Sequence, residues 1–201
     1  MASNYEVTYF DAKGRAEAIR VFLHAAGIDF KDIRMKRDEW PVIKPTTPLG
    51  FVPTLKIDDV TYTQSSALAR YAAKLAGFYP EDLIEALVVD EVIECISDMM
   101  NTCPWGEDGE EKKKKRIEWR DGALTKYSTF IESRIQAAGG KSVVSKPSVA
   151  DFLLHGVVEG VKGGFFDYVE SDFFDKFPGI NAACDSIMME PKVKAYYDSR
   201  S

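Results

Sequence analysis

Cysteine and histidine are scarce: three Cys and two His in 201 residues. Cys95, Cys103 and Cys184 are odd in number and show no C-x-x-C spacing, which argues against a secreted disulfide framework and predicts buried or half-buried free thiols. His24 and His155 both sit in apolar sequence and are too few for ordinary zinc ligand sets, so no metal site is expected. No apolar run approaches the roughly 18 residues of a membrane span. The start Met1-Ala2-Ser3-Asn4-Tyr5-Glu6 has neither the basic nor the apolar part of a secretory leader. A cytoplasmic protein without a membrane partner is expected. Positive charge is not in excess: 26 Lys+Arg against 32 Asp+Glu leave a net charge of −6, so there is no global attraction for nucleic acid. The motifs G-x-x-x-x-G-K-[ST], G-x-G-x-x-G and G-x-S-x-G are missing, and with them the nucleotide-binding and nucleophile-elbow readings.

What is present is core-forming material: 45% hydrophobic and 12% aromatic residues beside 29% charged, enough for one compact domain or two small ones. Alternation over Tyr5 to Phe10 predicts a strand. Ile19, Phe22, Leu23 and Ala26 then fall at helical spacing, with Gly27 placed for a left-handed stop. A second strand is predicted over Phe30 to Met35. Pro41, Pro45 and Pro48 predict an irregular connection in place of a long helix. Thr54 to Ile57, Asp58-Asp59 and Val60 to Tyr62 read as a hairpin, and Ser65 or Ser66 as the cap of a helix ending at Gly77. The order β-α-β, then β-β-α, makes a small α/β unit, and Gly77-Phe78-Tyr79-Pro80 a natural boundary. The domains expected are 1–78 and 79–201.

Beyond the boundary the pattern is helical. Glu91, Glu94 and Asp98 share one side of a helix spanning Glu81 to Met100, which Pro104 ends. Glu110/Lys114 and Glu111/Lys115 at i, i+4 predict a solvated face on a helix running to about Gln136. Ser148 and Asp151 are spaced as a capping box for the next helix, where Gly156 and Gly160 allow close helix packing. Short helices around Phe173, over Ile180 to Met189 and over Pro191 to Tyr197 complete an all-α half.

Singly, the polar residues of the first half are ordinary, but their order is not. Leu49-Gly50-Phe51-Val52-Pro53-Thr54-Leu55, followed by Gln64-Ser65-Ser66-Ala67-Leu68-Ala69-Arg70-Tyr71, resembles the glutathione-binding half of a glutathione transferase. Thr8-Tyr9-Phe10 with Gly14-Arg15-Ala16-Glu17 resembles the sigma class, which includes the glutathione-dependent prostaglandin D synthases. Asp38-Glu39-Trp40-Pro41 with Lys44, the helix segment ending at Asp98, Cys103-Pro104-Trp105 and Ala150-Asp151-Phe152 extend the similarity over nearly the whole chain. The fold implied is a thioredoxin-like α/β N-terminal domain followed by an all-α C-terminal domain. The activity implied is transfer of glutathione to small apolar electrophiles by a homodimer.

The resemblance also assigns roles. Tyr9 matches the catalytic tyrosine that donates a hydrogen bond to the glutathione sulfur, with Arg15 as supporting cation. A cis peptide before Pro53 would present the Val52 backbone to the cysteinyl part of glutathione. Gln64 and Ser65, at a positive helix end, would take the γ-glutamyl carboxylate, and Trp40 and Lys44 the glycyl end. Asp98 matches the acid that reaches the γ-glutamyl amine of the neighbouring subunit's ligand. Phe10, Ala12, Gly14, Met100 and Trp105 are candidate walls of an electrophile pocket between the domains. Leu153 and Val157 stand where prostaglandin D synthases carry tyrosine and cysteine. Phe51 replaces a usual lysine or glutamine, Leu49 offers no aromatic dimer key, and Ser97 replaces an acid of a metal-binding patch. The resemblance thus permits two alternatives: a glutathione-dependent prostaglandin isomerase, and a non-catalytic binding or structural member of the same fold.

Overall fold

The computed structural model describes residues 3–106 and 109–200. They form two compact units, one from the described part of Met1–Tyr79 together with Pro191–Ser201, the other Pro80–Glu190. The first is thioredoxin-like: a four-stranded sheet of order β2-β1-β3-β4. Strand β1 (Tyr5–Phe10) pairs in parallel with β2 (Phe30–Met35) and antiparallel with β3 (Thr54–Ile57), which turns through Asp58-Asp59 into β4 (Val60–Tyr62). Asp58 takes φ 53°, and it clasps the start of β1: Asn4 N–H donates to Asp58 Oδ1 and Asp58 N–H to Asn4 O, both at 2.9 Å.

Between β1 and β2 runs α1 (Glu17–Ala25), buried at every residue from Glu17 to Leu23. Such all-round burial needs cover on several sides, and α1 packs with both α3 (Ser65–Ala76) and α9 (Pro191–Asp198). The last helix therefore completes the first unit, where the sequence places it in the helical half. Val193 and Tyr196 are its buried anchors, and Lys192 Nζ donates to Ala76 O at 3.3 Å. Burying residues such as Ile19, Phe22 and Leu23 contributes about 1.5 to 3 kcal/mol each.

Two local expectations are corrected. The proline-rich connection is not irregular: 3-10 turns at Arg37–Glu39 and Lys44–Thr46 flank the single turn α2 (Trp40–Ile43). Pro41 and Pro45 stand in the first positions of their turns, where a missing N–H breaks no helical bond. Nor does Ser65 or Ser66 cap α3. Gln64 holds the cap position at φ 74°, makes no side-chain cap bond, and puts Ser65 inside the first turn. Gly77, left-handed at φ 82°, closes α3 as expected.

The second unit is helical. Asp82 caps α4 (Leu83–Asn101) by accepting from Ile84 N and Glu85 N, both at 2.9 Å. The single helix expected to reach Gln136 is instead α5 (Gly109–Trp119) and α6 (Thr125–Ala137), joined by a wide π turn over Arg120–Leu124. Its solvated face carries the Lys115–Glu111 pair at 3.3 Å. Helix α7 (Val149–Lys162) starts with the expected capping box. The fully buried Asp151 accepts from Val143 N, Ser148 N and Ser148 Oγ at 2.7, 2.7 and 2.8 Å. Burial outweighs those bonds and raises its pKa to about 6. Of the two spaced glycines only Gly160 is tightly packed, a Cβ there falling 2.7 Å from the Phe166 ring, while Gly156 has nothing within 4 Å. A 3-10 turn (Phe173–Lys176) and α8 (Pro178–Met188) follow, the amides of Gly179 and Ile180 being held by Glu132 at 2.9 and 2.8 Å.

Candidate functional site

The site begins where β1 runs out. Tyr9 lies one residue before the strand's end, and the chain then turns through Asp11 to Gly14–Ala16, a 3-10 turn that leads into α1. Gly14 takes φ 44°, and a Cβ there would lie 2.8 Å from both Tyr9 Oη and Cε1. Glycine is required twice over, by backbone conformation and by its approach to the phenol. The Arg15 N–H donates to Tyr9 Oη at 3.4 Å, which leaves the phenolic O–H to donate elsewhere. Phe10 packs edge-on between Tyr9 and Trp40, 5.6 Å from each ring. Tyr9, Phe10, Gly14, Arg15 and Trp40 are thus brought together.

A second arginine bears on Tyr9. The Arg15 side chain is exposed and has no hydrogen-bond or ion-pair partner among the described residues. Arg20, fully buried in α1, instead stands 6.0 Å from the Tyr9 ring centroid. Its Nη1 donates to Ala12 O at 2.9 Å and Lys13 O at 3.3 Å, tying down the loop that carries Gly14, and Nε donates to Asp32 Oδ1 at 2.8 Å. Glu17 completes its contacts at 3.3 Å. Arginine's planar fork permits these bonds in different directions from one group. Ala12 enters the site through its carbonyl. Sequence reasoning missed Arg20; the available signal was one cation between Ile19 and Val21-Phe22-Leu23 in a mostly apolar helix.

Asp32, which anchors Arg20, is shared with Arg34 at 2.9 Å and Arg200 at 3.4 Å. Burial pulls its pKa upward, but the hydrogen bonds and charges of Arg34 and Arg20 prevail and hold it below the ordinary carboxylate value.

The second group of residues offers unspent donors. The Val52-Pro53 peptide is cis, as expected, with Pro53 buried and Val52 half-buried. Gln64 O accepts the first helical bond of α3 from Leu68 N at 3.0 Å, so Ser65 lies ahead of that ladder, at the positive end of the helix. Lys44 is exposed, with its alkyl chain laid over Gly50, whose φ is 67° and whose added Cβ would be 3.3 Å from Lys44 Cε. The Trp40 indole N–H, the Lys44 ammonium and the Gln64 amide have no hydrogen-bond partner among the described residues. This is a donor-rich surface suited to carboxylates and amide carbonyls.

In the helical unit, Asp98 is exposed on α4 and accepts from Tyr127 Oη at 3.4 Å. Glu91, on the same side, is bound by both Nε and Nη2 of Arg134 at 2.7 and 3.0 Å. No group of three or more His, Cys, Asp or Glu able to hold a metal ion occurs among the described residues. Met100 is half-buried, and Trp105, 49% exposed, stands among Phe165, Phe166 and Arg116 at 5.7, 5.8 and 5.3 Å. Arg116, a second residue missed from sequence, is 1% exposed and donates to Cys103 Sγ at 3.1 Å and Pro104 O at 2.9 Å. Burial raises the Cys103 thiol to about 11 against the pull of that guanidinium. Cys95, Cys103 and Cys184 are free, two buried and one half-buried, as expected.

Comparison with known proteins bears on both halves. Residues 5–74 match the family model described as glutathione S-transferase, N-terminal domain, and residues 96–200 that described as glutathione S-transferase, C-terminal domain. The chain is similar to the hematopoietic prostaglandin D synthase of Gallus gallus, 33% identical over 98% of this chain and 96% of that protein. It is also similar to the structure of prostaglandin synthase D of Nilaparvata lugens, at TM-score 0.86 and 31% identity over 98% of each chain. A third is a monomeric glutathione S-transferase from Necator americanus, at TM-score 0.83 and 28% identity over 98% of each chain.

Proposed function

The chain belongs to the glutathione S-transferase family, and from that premise we propose that it is a sigma-class enzyme joining the thiolate of glutathione to small apolar electrophiles. The observation that carries the reading is the Tyr9 hydroxyl at the end of β1, receiving the Arg15 amide and packed against Gly14. Its proton is then available to a sulfur. A hydrogen bond to the charged form favours thiolate over thiol. From a reference pKa of ~8.5, a lowering of about 2 units is worth about 2.7 kcal/mol and raises the thiolate fraction at pH 7 from roughly 3% to roughly 75%.

The remaining roles follow the chemistry of each group. Trp40 and Lys44 take the glycyl carboxylate, Val52 pairs through its backbone with the cysteinyl unit, and Gln64 with Ser65 holds the γ-glutamyl end. Phe10, Met100 and Trp105 are the apolar side chains assigned to the electrophile. Arg15 contributes long-range positive charge, and Arg20 positions the loop under Tyr9. Asp98 reaches the γ-glutamyl amine of the partner's ligand, which makes a homodimer part of the proposal; sedimentation of the purified chain tests it, the Necator americanus relative being monomeric. A cytoplasmic location accords with three free thiols.

The test is an ultraviolet difference spectrum with glutathione from pH 5 to 9. A thiolate band titrating well below free glutathione supports the reading, and binding without that shift refutes the role of Tyr9. The names of two relatives favour a second reading, isomerisation of a prostaglandin endoperoxide with glutathione recycled. Product analysis after incubation with prostaglandin H₂ decides between them.

A further inference from the structure

The corner between α4 and α5 is built around a buried cation. Helix α4 ends at Asn101 and α5 begins at Gly109, and the described residues between them, Thr102 to Gly106, belong to no helix. Trp105 stands on this corner 49% exposed, followed by Gly106 at φ 81°, so neither a helix nor full burial fixes its indole. Arg116 of α5 reaches the two residues just before it: Nη1 donates to Cys103 Sγ at 3.1 Å and Nη2 to Pro104 O at 2.9 Å. The same guanidinium lies 5.3, 5.8 and 5.7 Å from the ring centroids of Trp105, Trp119 and Phe166, within reach of a cation–π attraction to each.

The cluster extends to the end of α4. Trp119 Nε1 donates to Met99 O at 2.9 Å, which fixes the backbone beside Met100. Phe166 is anchored in turn: its ring fills the space over Gly160, where a Cβ would fall 2.7 Å away, and the Lys112–Asp167 pair at 2.7 Å ties its loop to α5. Arg116 is an expensive residue for this place. It is 1% exposed, its acceptors are a carbonyl and a thiol that burial keeps neutral, and its own buried Nε has no partner. An apolar side chain of similar volume would escape that desolvation cost. What it would lack is the rigid fork that makes two directed bonds and three ring contacts from one planar group.

We propose that Arg116 is a positioning residue for electrophile turnover, holding the Trp105 indole in the one orientation against which a planar aromatic electrophile packs. The proposal rests on the reading in which Trp105 and Met100 face the electrophile, and it adds what keeps them in place. Buried as it is, Arg116 acts through Trp105 and through the Trp119 bond beside Met100, without touching the substrate. Tyr9 and the donors assigned to glutathione belong to the other unit and keep their own contacts when Arg116 is changed. Its loss therefore falls on the electrophile and spares glutathione.

The experiment is a double-mutant cycle on the full chain, with Arg116→Met, Trp105→Ala and the pair, assayed by initial rates with 1-chloro-2,4-dinitrobenzene and glutathione. Arg116→Met should lower kcat/KM for the electrophile by about tenfold and leave KM for glutathione and the titration of its bound thiol unmoved. In the Trp105→Ala background the same change should cost less than about twofold. Arg116→Lys keeps a cation among the rings without the fork, should lose activity in the same direction, and decides the matter if the methionine variant does not melt as a folded protein. A fluorine spectrum of the chain labelled with 5-fluorotryptophan reads the geometry directly: the Trp105 signal should shift or broaden in the Arg116 variants while that of Trp40 stays. Equal losses in both backgrounds, a parallel rise in KM for glutathione, or an unmoved Trp105 signal overturns the proposal. The unmodified chain is assayed first. If it does not turn over this electrophile, the conjugation reading fails and this proposal with it, whereas turnover undiminished by changing Arg116 overturns this proposal alone.

Discussion

Replacing Gly14 by alanine separates two costs that coincide at one residue. The first is conformational: φ 44° lies in the left-handed region, which costs a residue with a Cβ about 1 to 2 kcal/mol. The second is steric: the new methyl would stand 2.8 Å from Tyr9 Oη and Cε1, closer than real Cβ contacts come, so the phenol must move by several tenths of an ångström. Gly27→Ala is the matched control, because Gly27 takes φ 70° with nothing within 4 Å of an added Cβ. Gly27→Ala should lose about 1 to 2 kcal/mol, or roughly 2 to 8 °C in Tm for a chain of this size, and Gly14→Ala at least as much. Only Gly14→Ala should lose turnover, by about 10-fold in kcat/KM with an aryl halide, since a misplacement of 1 Å can cost about 100-fold and this one is smaller. The paired assay is initial rate against glutathione alongside a melting curve for each protein. If the two variants prove equally active, or if Gly14→Ala alone keeps wild-type turnover, contact between Gly14 and the phenol does not govern the chemistry.

Arg20→Met leaves Asp32 with Arg34 and Arg200 but frees two loop carbonyls and Glu17; a loss of about 3 to 5 kcal/mol is expected by urea titration. Arg20→Lys should fail to restore it, because one ammonium cannot reproduce bonds made from Nε and Nη1; full recovery by lysine would contradict the clamp. Gln64→Gly should shift two readouts in opposite directions: stability rises by about 1 kcal/mol because φ 74° no longer strains a side-chain-bearing residue, while KM for glutathione increases; a fall in stability would count against this account. Burial raises the Asp151 pKa to about 6 from its ordinary value of 3.8, so the folded state holds its proton more tightly. Its contribution is fully present below 3.8 and is lost as pH rises through 6, by about 3 kcal/mol in total. The stability of wild type minus that of Asp151→Asn should therefore decline by most of that amount between pH 4 and 7, and a flat or rising difference would overturn the assignment.

Elements with a strict local period were readable from the chain. Strand β1 appears at the residues its alternation marks, β2 over the expected Phe30 to Met35, and the Asp58-Asp59 hairpin and the Ser148/Asp151 cap lie where short-range chemistry puts them. Features that depend on distant backbone were not. Pro41 looks like a helix breaker until the start of its turn is known, and Ser65 looks like a cap until Gln64 is found at positive φ. Tyr9, Gly14 and Arg15 were named through the resemblance, and the short turn after β1 is what brings them together. Arg20 and Arg116 were not, because their partners are carbonyls and a thiol whose positions follow only from the turns of other segments.

The return of α9 to the first unit bears on how the polypeptide can be made. On a ribosome, β1 through α3 emerge early and can pair their strands at once. Yet α1 is covered partly by α9, and Val193 and Tyr196 are synthesised only after the whole helical unit. The nascent α/β unit must therefore wait, with one flank of α1 open, while the whole stretch from Pro80 to Glu190 is translated. At about 5 to 20 residues per second that wait lasts roughly 6 to 22 s. The chaperone-sensitive interval falls during synthesis of the helical segment, and a ribosome stalled before Pro191 should display an α/β unit open to protease.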